Sequence, residues 1–315
     1  MNNDLVTVTG GAGFIGSHLV RRLLQDGKRV RVLDDFATGK RENLSEIIDR
    51  IELVEGSVAD ADAARRALDG ADCVLHQAAI PSVPRSIRDP QGSNEANVNG
   101  TLNLLCQARD LGVRRFVFAA SSSAYGDTPT LPKQETMATD PISPYAVAKL
   151  ASENYCRSFT RVYGLETVCL RYFNVFGPRQ DPQSEYAAVI PRFITAMLDG
   201  REITIYGDGT QSRDFTYIDN TVDANMLAMN APDAVGLTCN VACGERFTLN
   251  ELARQLGEII GVEPRIQYVE RKKGDVLHSL ADISRARQLL KYEPRVDFRE
   301  GLERTVASFQ AVGKQ

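Results

Sequence analysis

The sequence lacks the features that mark three common functional classes. Its 37 lysines and arginines do not exceed its 41 aspartates and glutamates, and the formal net charge is −4. Without a basic excess to neutralise phosphates, nucleic-acid binding is not expected. No apolar run reaches the length needed to span a membrane. The first residues, Met1 to Asp4, lead directly into an apolar segment, so we expect a soluble cytoplasmic protein without a targeting sequence.

Ligands at metal-binding spacing are also missing from the sequence. The six cysteines are scattered along the chain at Cys73, Cys106, Cys156, Cys169, Cys239 and Cys243. Most of them lie in apolar segments, as buried thiols do in a reducing compartment. Cys239 and Cys243 lack the two-residue spacing of a metal knuckle, and the histidines His18, His76 and His278 are far apart. We therefore predict no disulfide and no metal site.

Short apolar segments alternate with segments of helix length over the first half of the chain. Six of them are predicted strands: Leu5–Thr9, Val30–Leu33, Ile51–Glu55, Cys73–His76, Phe116–Ala119 and Thr167–Leu170. Short apolar strands that alternate with helices are typical of a parallel sheet covered on both faces. The fold class predicted is therefore α/β, with a Rossmann-type doubly wound parallel sheet.

The rhythm changes after Asn174, where glycine and proline pairs break the chain into loops. Helical patterns near residues 187–198, 248–260 and 300–309 no longer alternate regularly with strands. We therefore predict two domains, a Rossmann domain over residues 1–173 and a smaller mixed α/β substrate domain over residues 174–315. Residues from about 215 to 242 are expected to return to the first domain, and a ligand crevice is expected at the carboxyl ends of the sheet strands.

The most informative local signal is the segment Gly10-Gly11-Ala12-Gly13-Phe14-Ile15-Gly16, which follows the first predicted strand and opens an amphipathic stretch. This order predicts the strand, turn and helix of a dinucleotide site. Gly10 allows the tight turn, Gly13 lets the backbone approach a pyrophosphate, and Gly16 lets helix and strand pack closely. The pyrophosphate is expected at the helix N-terminus, where free N–H groups favour an anion.

Asp34 ends the second predicted strand, 18 residues after Gly16, where a carboxylate can accept hydrogen bonds from the ribose hydroxyls of adenosine. Asp35 follows it. A 2′-phosphate would meet like charge at this position, so NAD is favoured over NADP even though Lys40 and Arg41 lie nearby. The alternative is that Asp34 only caps a loop.

Ser143 and Pro144 predict a helix start, because serine is a common N-cap and proline fits the first helical position. Tyr145 and Lys149 then lie one turn apart on the same helix face. The ammonium of Lys149, aided by the positive charge of the nicotinamide, is expected to lower the pKa of the Tyr145 phenol from its usual value near 10 toward neutrality, which suits a general base.

A serine run, Ser121 to Ser123, lies just beyond the predicted strand Phe116–Ala119. A hydroxyl at the carboxyl end of a strand is well placed to pass a proton to Tyr145. The alternative reading of the run is a solvated turn.

From about residue 5 to about residue 308, the chain resembles the extended short-chain dehydrogenase/reductase family, and within it the nucleotide-sugar 4-epimerases. The resemblance rests on VTVTGGAGFIGSHL at 6–19, HQAA at 76–79, NVNGT at 97–101, the serine run before YGD at 125–127, the Tyr145/Lys149 pair, and RYFN at 171–174. It implies that NAD, bound throughout the cycle, serves C4 epimerisation of a UDP-hexose through a 4-keto intermediate. Ser121, Tyr145 and Lys149 are the catalytic residues that it implies.

The resemblance also implies the two binding sites. The implied cofactor residues are Gly10, Gly13, Phe14, Ile15, Gly16, Asp34, Asp35, Ser57, Val58, Ala78, Asn97, Tyr145, Lys149 and Tyr172. The implied UDP-sugar residues are Ser82, Arg85, Ser122, Ser123, Asn174, Val189, Tyr206, Arg213, Lys272, Asp275 and Ser279. Among these, Asn174 and Arg213 are assigned to the phosphates, Tyr206 to the uracil and Asp275 to the uridine ribose.

Two positions depart from the family's pattern. Lys272, beside Arg271, stands where the family usually has an arginine, and a lysine lacks the fork that binds phosphate in a bidentate way. Ser57 stands where many relatives carry aspartate, so a weaker hydrogen bond to adenine is expected.

Sugar choice is inferred from one further position. Ser279 stands at the gate beside the sugar 2-substituent, where relatives restricted to glucose and galactose carry tyrosine and relatives that accept an acetamido group carry a small residue. The segments 171–180 and 186–193 also resemble epimerases of UDP-N-acetylhexosamines. We expect UDP-N-acetylglucosamine and UDP-N-acetylgalactosamine to react, and UDP-glucose and UDP-galactose as well.

Other functions remain open at this stage. Ser122 and Ser123 stand where related dehydratases and decarboxylases carry carboxylates, which favours epimerisation. The alternatives are a UDP-glucuronate 4-epimerase, a catalytically silent NAD-binding scaffold and a reductase of small ketones. Relatives pair the segments equivalent to Asn94–Gly112 and Pro144–Tyr163 in a four-helix interface, so a homodimer is expected.

Overall fold

A computed structural model describes residues 4–182, 188–271 and 276–312 of the chain. Its strands are β1 (Leu5–Thr9), β2 (Arg29–Asp34), β3 (Glu52–Glu55), β4 (Cys73–His76), β5 (Arg115–Ser121), β6 (Glu166–Tyr172), β7 (Val175–Phe176), β8 (Ile203–Tyr206), β9 (Ser212–Arg213), β10 (Thr216–Tyr217), β11 (Leu237–Val241), β12 (Phe247–Thr248) and β13 (Ile266–Val269). Its α-helices are α1 (Phe14–Gln25), α2 (Ala61–Leu68), α3 (Val83–Arg88), α4 (Pro90–Asn94), α5 (Gly100–Asp110), α6 (Pro144–Tyr163), α7 (Val189–Leu198), α8 (Ile218–Ala228), α9 (Leu249–Ile260), α10 (Ser284–Leu290) and α11 (Phe298–Val312).

Seven parallel strands form the central sheet in the order β11-β6-β5-β4-β1-β2-β3. The chain runs outward from β1 to β3 and then returns to β4 on the other side of β1. This reversal is the switch point of a doubly wound sheet, where a crevice forms at the carboxyl ends of the strands. The predicted Rossmann-type fold is confirmed.

The strand side chains alternate between two buried cores, which is why these segments are apolar throughout. On β1, Val6 and Val8 belong to one core and Leu5 to the other. On β5, Val117 joins the first core, whereas Phe116 joins the second. Helices therefore cover both faces of the sheet, as parallel sheets require.

The six predicted strands are all present, and β5 and β6 are longer than predicted. Their backbone ladder continues from Arg115 opposite Glu166 to Ser121 opposite Tyr172. Ser121 is therefore the last residue of a strand, whereas the sequence had placed the whole serine run just beyond it. The difference matters because strand pairing fixes the position of the Ser121 backbone.

The second half of the chain builds a smaller mixed α/β region. It contains three two-stranded sheets, of which β13-β8 and β10-β7 are parallel and β12-β9 is antiparallel. The strand β11 pairs with β6 and extends the central sheet. The proposed domain boundaries themselves stay a prediction. No helix in the described ranges is both long and apolar enough to cross a membrane.

The segment Asn94–Gly112 is not one regular helix. It comprises the end of α4, a π-helical turn over Glu95–Asn99, and α5. The Asn97 carbonyl at this turn accepts side-chain hydrogen bonds from Thr101 and from Ser152 of α6. Such turns relax the regular helical ladder and often occur near functional sites.

Candidate active site

A cleft of about 1070 Å³ opens at the carboxyl ends of the sheet strands. Most of the site residues predicted from the sequence line it: Gly10, Gly13, Phe14, Ile15, Gly16, Asp34, Asp35, Ser57, Val58, Ala78, Ser82, Arg85, Ser121, Ser122, Ser123, Tyr145, Lys149, Tyr172, Asn174, Arg213 and Ser279. This volume lies just above the range usual for small-molecule sites.

The glycine turn forms one end of the cleft, which we call the cofactor end. Gly10 has a φ of 68°, and a Cβ there would lie 2.7 Å from the Ala78 backbone. A Cβ at Gly16 would lie 2.1 Å from the Gly10 carbonyl oxygen. The N-cap of α1 is Gly13, without a side-chain cap, and its first turn holds no acidic residue. These first-turn N–H groups suit a diphosphate.

Asp34 links the glycine turn to the end of β2. Its Oδ2 accepts a hydrogen bond from the Ala12 N–H at 2.8 Å, and its Oδ1 accepts one from the Phe36 N–H at 2.8 Å. Burial raises the pKa of this carboxyl, and the two N–H donors oppose that rise. Asp34 therefore caps the loop, as the alternative reading held, and it also lines the cleft. Each oxygen retains acceptor capacity for a ribose hydroxyl.

The serine run is ordered by its own hydroxyls. Ser123 donates from its N–H and its Oγ to the Oγ of Ser121, at 3.2 and 2.8 Å. Because Ser121 Oγ accepts both of these hydrogen bonds, it can donate its own proton to the Tyr145 hydroxyl oxygen. That hydrogen bond between Ser121 and Tyr145 acts to lower the pKa of the phenol. Ser123 thus orients Ser121 in addition to lining the cleft.

The electrostatics of Tyr145 differ from the sequence expectation. Burial outweighs the hydrogen bond from Ser121, and the pKa of Tyr145 is raised rather than lowered. Lys149 turns its Nζ to the Ala119 carbonyl oxygen, 2.9 Å away, and burial lowers its pKa to about 8. The protein's own residues therefore do not produce the lowering expected from Lys149 and the nicotinamide together, because a buried phenolate loses its hydration.

The other end of the cleft, which we call the substrate end, is built around Asp214. Its carboxylate accepts hydrogen bonds from the N–H groups of Cys243, Gly244 and Ala281 at 3.0 to 3.1 Å. Burial raises the pKa of Asp214 to about 7, although these donors oppose the rise. Its carboxylate thus joins the β11 end to the segment that holds Ser279.

Two predicted substrate residues belong to the same cluster of hydrogen bonds around Asp214. Asn174 Nδ2 donates to the Asp214 carbonyl oxygen at 3.0 Å and to Ser279 Oγ at 3.1 Å. Ser279 Oγ also accepts from the Asp214 N–H at 3.2 Å. The adjacent Arg213 donates to the carbonyl oxygens of Ser212 and Leu277, both at 3.0 Å.

Three predicted site residues do not line the cleft. Asn97 is buried, and its Oδ1 accepts from the Ile80 N–H at 2.9 Å, so it holds the loop after β4 from behind. Val189 begins α7, and Tyr206 ends β8. Two more, Lys272 and Asp275, lie outside the described residues, as does Tyr186 in the segment compared above.

Sequence reasoning missed several residues of the site. Arg179, which has a φ of 66°, lines the cleft near Lys40, whose Nζ lies 3.1 Å from Asp181. It also missed the buried pair of Glu153 and Arg171, joined by two hydrogen bonds of 2.8 Å. The spacing of Glu153 was an available signal, since it follows Tyr145 and Lys149 at intervals of four residues on α6.

Comparisons with known proteins agree with this geometry. The profile of the NAD dependent epimerase/dehydratase family matches residues 6–242. A UDP-glucose 4-epimerase of Mycolicibacterium smegmatis is 39% identical over 307 residues, which cover 96% of this chain and 97% of that protein.

Two solved structures have the same fold over nearly their whole length. One is a UDP-N-acetylglucosamine 4-epimerase of Methanobrevibacter ruminantium M1 in complex with UDP-N-acetylmuramic acid, with a TM-score of 0.94 and 40% identity, covering 99% of this chain and 100% of that one. The other is the UDP-glucose 4-epimerase of Thermus thermophilus in complex with NAD, with a TM-score of 0.90 and 37% identity, covering 97% of this chain and 99% of that one.

Proposed function

This chain belongs to the NAD dependent epimerase/dehydratase family, and we propose that it is a UDP-sugar 4-epimerase that prefers N-acetylated hexoses. It would interconvert UDP-N-acetylglucosamine and UDP-N-acetylgalactosamine, and more slowly UDP-glucose and UDP-galactose. The observation that carries the proposal is the cleft itself, in which a tyrosine, a serine and a lysine separate a cofactor end from a substrate end.

NAD is the cofactor, and the residues at the cofactor end fit it. The α1 N-terminus, which has no side-chain cap, offers N–H groups, the absence of a Cβ at Gly16 lets the helix pack closely on the glycine turn, and Asp34 offers acceptors for a ribose. When bound, NAD accepts the hydride from C4 of the sugar and returns it to the opposite face of the resulting ketone.

Three side chains handle the proton that accompanies this exchange. Tyr145 takes the proton of the sugar 4-hydroxyl, and later returns it to the same oxygen. Ser121, oriented by Ser123, holds that oxygen and stabilises the phenolate of Tyr145. Lys149 follows Tyr145 by one turn of α6 and is fixed by the Ala119 carbonyl oxygen, and its positive charge would favour the phenolate. Each turnover ends with the cofactor unchanged, so no second substrate is consumed.

The charges in the cleft favour epimerisation over elimination or decarboxylation. Among the described residues, the carboxylates that line the cleft are Asp34, Asp35 and Asp181, all at the cofactor end. Ser122 and Ser123 stand beside Ser121 in their place. Elimination of water needs an acid or base beside the leaving group, and a hydroxyl is too weak an acid for that role.

Preference for an acetamido group rests on Ser279. Its side chain is buried beside Asn174 and lines the cleft. A tyrosine ring at this position would fill space that a 2-acetamido group needs.

A second copy of this chain is the partner that we propose. The outer face of α6 exposes Val147, Tyr155 and Val162, and Ile87 and Ile142 are exposed as well. Exposed apolar side chains grouped on one helix indicate a surface that another chain covers. Light scattering at micromolar concentration is expected to report a dimer, and a monomer would contradict this assignment.

The sugar preference is tested by coupled assays with UDP-N-acetylglucosamine, UDP-glucose and UDP-glucuronate. We expect the wild-type enzyme to be fastest on the acetylated sugar. Ser279→Tyr should lower kcat/KM for that sugar by about 10-fold to 100-fold while sparing UDP-glucose, since overpacking costs about 1–3 kcal/mol. Tyr145→Phe is the inactive control.

Ser279→Ala is the matched control for lost contacts, because it removes the hydroxyl that Asn174 and Asp214 contact without adding volume. Ser279→Ala should keep its activity on UDP-N-acetylglucosamine. Faster turnover of UDP-glucuronate or UDP-glucose by the wild-type enzyme would overturn the preference, as would an unchanged ratio in Ser279→Tyr. NAD-bound protein that turns over no UDP-sugar would instead indicate the scaffold alternative.

A further inference from the structure

The Glu153–Arg171 pair is a buried ion pair close to the catalytic residues. The side chains are 1% and 4% exposed. Arg171 Nε donates to Glu153 Oε2 and Arg171 Nη2 donates to Oε1, both at 2.8 Å, and Thr238 of β11 adds a third hydrogen bond to Oε1 at 3.0 Å. A buried ion pair contributes little net stability over an apolar pair of the same size, so stability alone is a weak reason for one here.

Glu153 belongs to the same face of α6 as two catalytic residues. It follows Tyr145 and Lys149 at intervals of four residues, which places the three side chains along one stripe of the helix. Lys149 is tied to β5 through Ala119, and Glu153 is tied to β6 through Arg171. These two contacts fix the position of α6 along its axis and its rotation against the sheet.

Arg171 also contacts the turn that carries Ser121. Its guanidinium carbon lies 4.5 Å from the ring centroid of Tyr125, two residues after Ser123, and its Nη1 is buried without a hydrogen-bond partner. Tyr125 is buried and donates its hydroxyl proton to Asn240 Oδ1 at 2.7 Å. The face of the Arg171 guanidinium therefore packs on Tyr125, in the turn that follows Ser121. Its Nε and Nη2 atoms bind Glu153 of α6.

We propose that the Glu153–Arg171 pair positions Tyr145 against Ser121, by joining the helix that carries the tyrosine to the turn that carries the serine. The two are positioning residues, since neither lines the cleft. The proposal rests on the epimerase mechanism but not on the choice of sugar. Displacing the phenol from the serine hydroxyl weakens the hydrogen bond that stabilises the phenolate.

The decisive variant replaces both charges at once, Glu153→Leu with Arg171→Met. An apolar pair of similar volume is expected to keep the protein folded, because no charge is left buried alone. We expect an unchanged NAD content and a melting temperature near that of the wild type, with kcat lowered about 10-fold to 100-fold. The acidic limb of the pH profile of kcat should move to higher pH, since the phenolate is less stabilised.

Glu166→Gln is the matched control at the other end of the same strands. Glu166 pairs with the buried Arg115 at 3.0 Å, far along β5 and β6 from the cleft. This variant should lower the melting temperature without moving the pH profile. A purely structural pair at 153 and 171 would behave in the same way.

The outcomes separate the two roles. A double variant with wild-type kcat and an unshifted pH profile would overturn the proposal. If the double variant fails to fold, Arg171→Lys decides, because it keeps a positive charge beside Glu153 and removes the two-pronged hydrogen bonding and the guanidinium face on Tyr125: a shifted acidic limb supports positioning, and an unshifted one overturns it. A wild-type enzyme without activity toward any UDP-sugar would refute the proposed function instead.

Discussion

The two ends of the cleft are built in different ways. The cofactor end is made by a short stretch of chain, in which the glycine turn, the start of α1 and Asp34 lie within 25 residues of each other and act largely through backbone N–H groups. The substrate end joins Asn174, Asp214, Cys243 and Ser279, which come from distant parts of the chain and meet through hydrogen bonds in which at least one partner is a side chain. A cofactor bound by backbone needs space without Cβ atoms, whereas a sugar nucleotide bound by side chains needs those side chains to be held.

The largest difference is expected from Gly16→Ala. The added Cβ would lie 2.1 Å from the Gly10 carbonyl oxygen, so turn and helix must separate. We expect NAD affinity to fall by about 10-fold to 100-fold, which corresponds to about 1–3 kcal/mol of overpacking. Calorimetric titration with NAD and with UDP checks this, and UDP affinity should change little. Equal loss of both ligands would show that the ends are not independent.

At the substrate end, Asp214→Asn is the corresponding variant. Three backbone N–H groups now donate to the two carboxylate oxygens of Asp214. An asparagine side chain has only one acceptor oxygen, so at least one of these N–H groups loses its partner, at a cost of about 1–3 kcal/mol. We expect weaker UDP binding, by about 10-fold, with NAD content unchanged. Retention of wild-type UDP affinity would contradict the role given to the hydrogen-bond cluster around Asp214.

The prediction with the smallest effect on ligand binding concerns pH and involves His76, which lies under the cofactor end. Thr101 gives its hydroxyl proton to the Asn97 carbonyl oxygen, so His76 Nε2 donates to Thr101 and Nδ1 accepts from Thr9. Burial lowers the pKa of His76 to about 3. The folded protein therefore keeps this ring neutral while the unfolded chain takes up a proton below about pH 6.5.

Stability contributed by His76 is thus lost as pH falls from about 6.5 towards 3, by about 1.4 kcal/mol per pH unit. The stability contributed by Asp214 changes with pH in the opposite direction. Because its pKa is raised in the folded state, the folded protein binds a proton that the unfolded chain has lost, and stability falls as pH rises from about 3.8 to 7. Denaturant unfolding between pH 4 and 6.5 tests this. Relative to the wild type, His76→Gln should gain stability on acidification and Asp214→Asn on alkalinisation, and parallel curves would refute the assignment.

Local patterns in the sequence predicted much of the cofactor end and the catalytic helix. The Gly10–Gly16 spacing, the strand before it and the Ser143 cap with Pro144 each act within a few residues, so backbone geometry and hydrogen bonding determine them without help from the rest of the chain. The alternation of apolar segments likewise determined the parallel sheet, since strands buried on both faces must be apolar throughout.

Tertiary structure decided what depends on distant contacts and on desolvation. The hydrogen-bond cluster around Asp214 and the bond from Arg171 to Glu153 join residues from separate parts of the chain, so spacing on α6 singles out Glu153 but does not reveal its partner. Without NAD, the pKa of Tyr145 lies above its usual value, because spacing on a helix reveals a neighbouring charge but not the water that burial removes from the phenol. The sequence by itself determined which residues could carry the chemistry; the tertiary structure decided their distances and their electrostatic surroundings, because both arise only when the segments pack together.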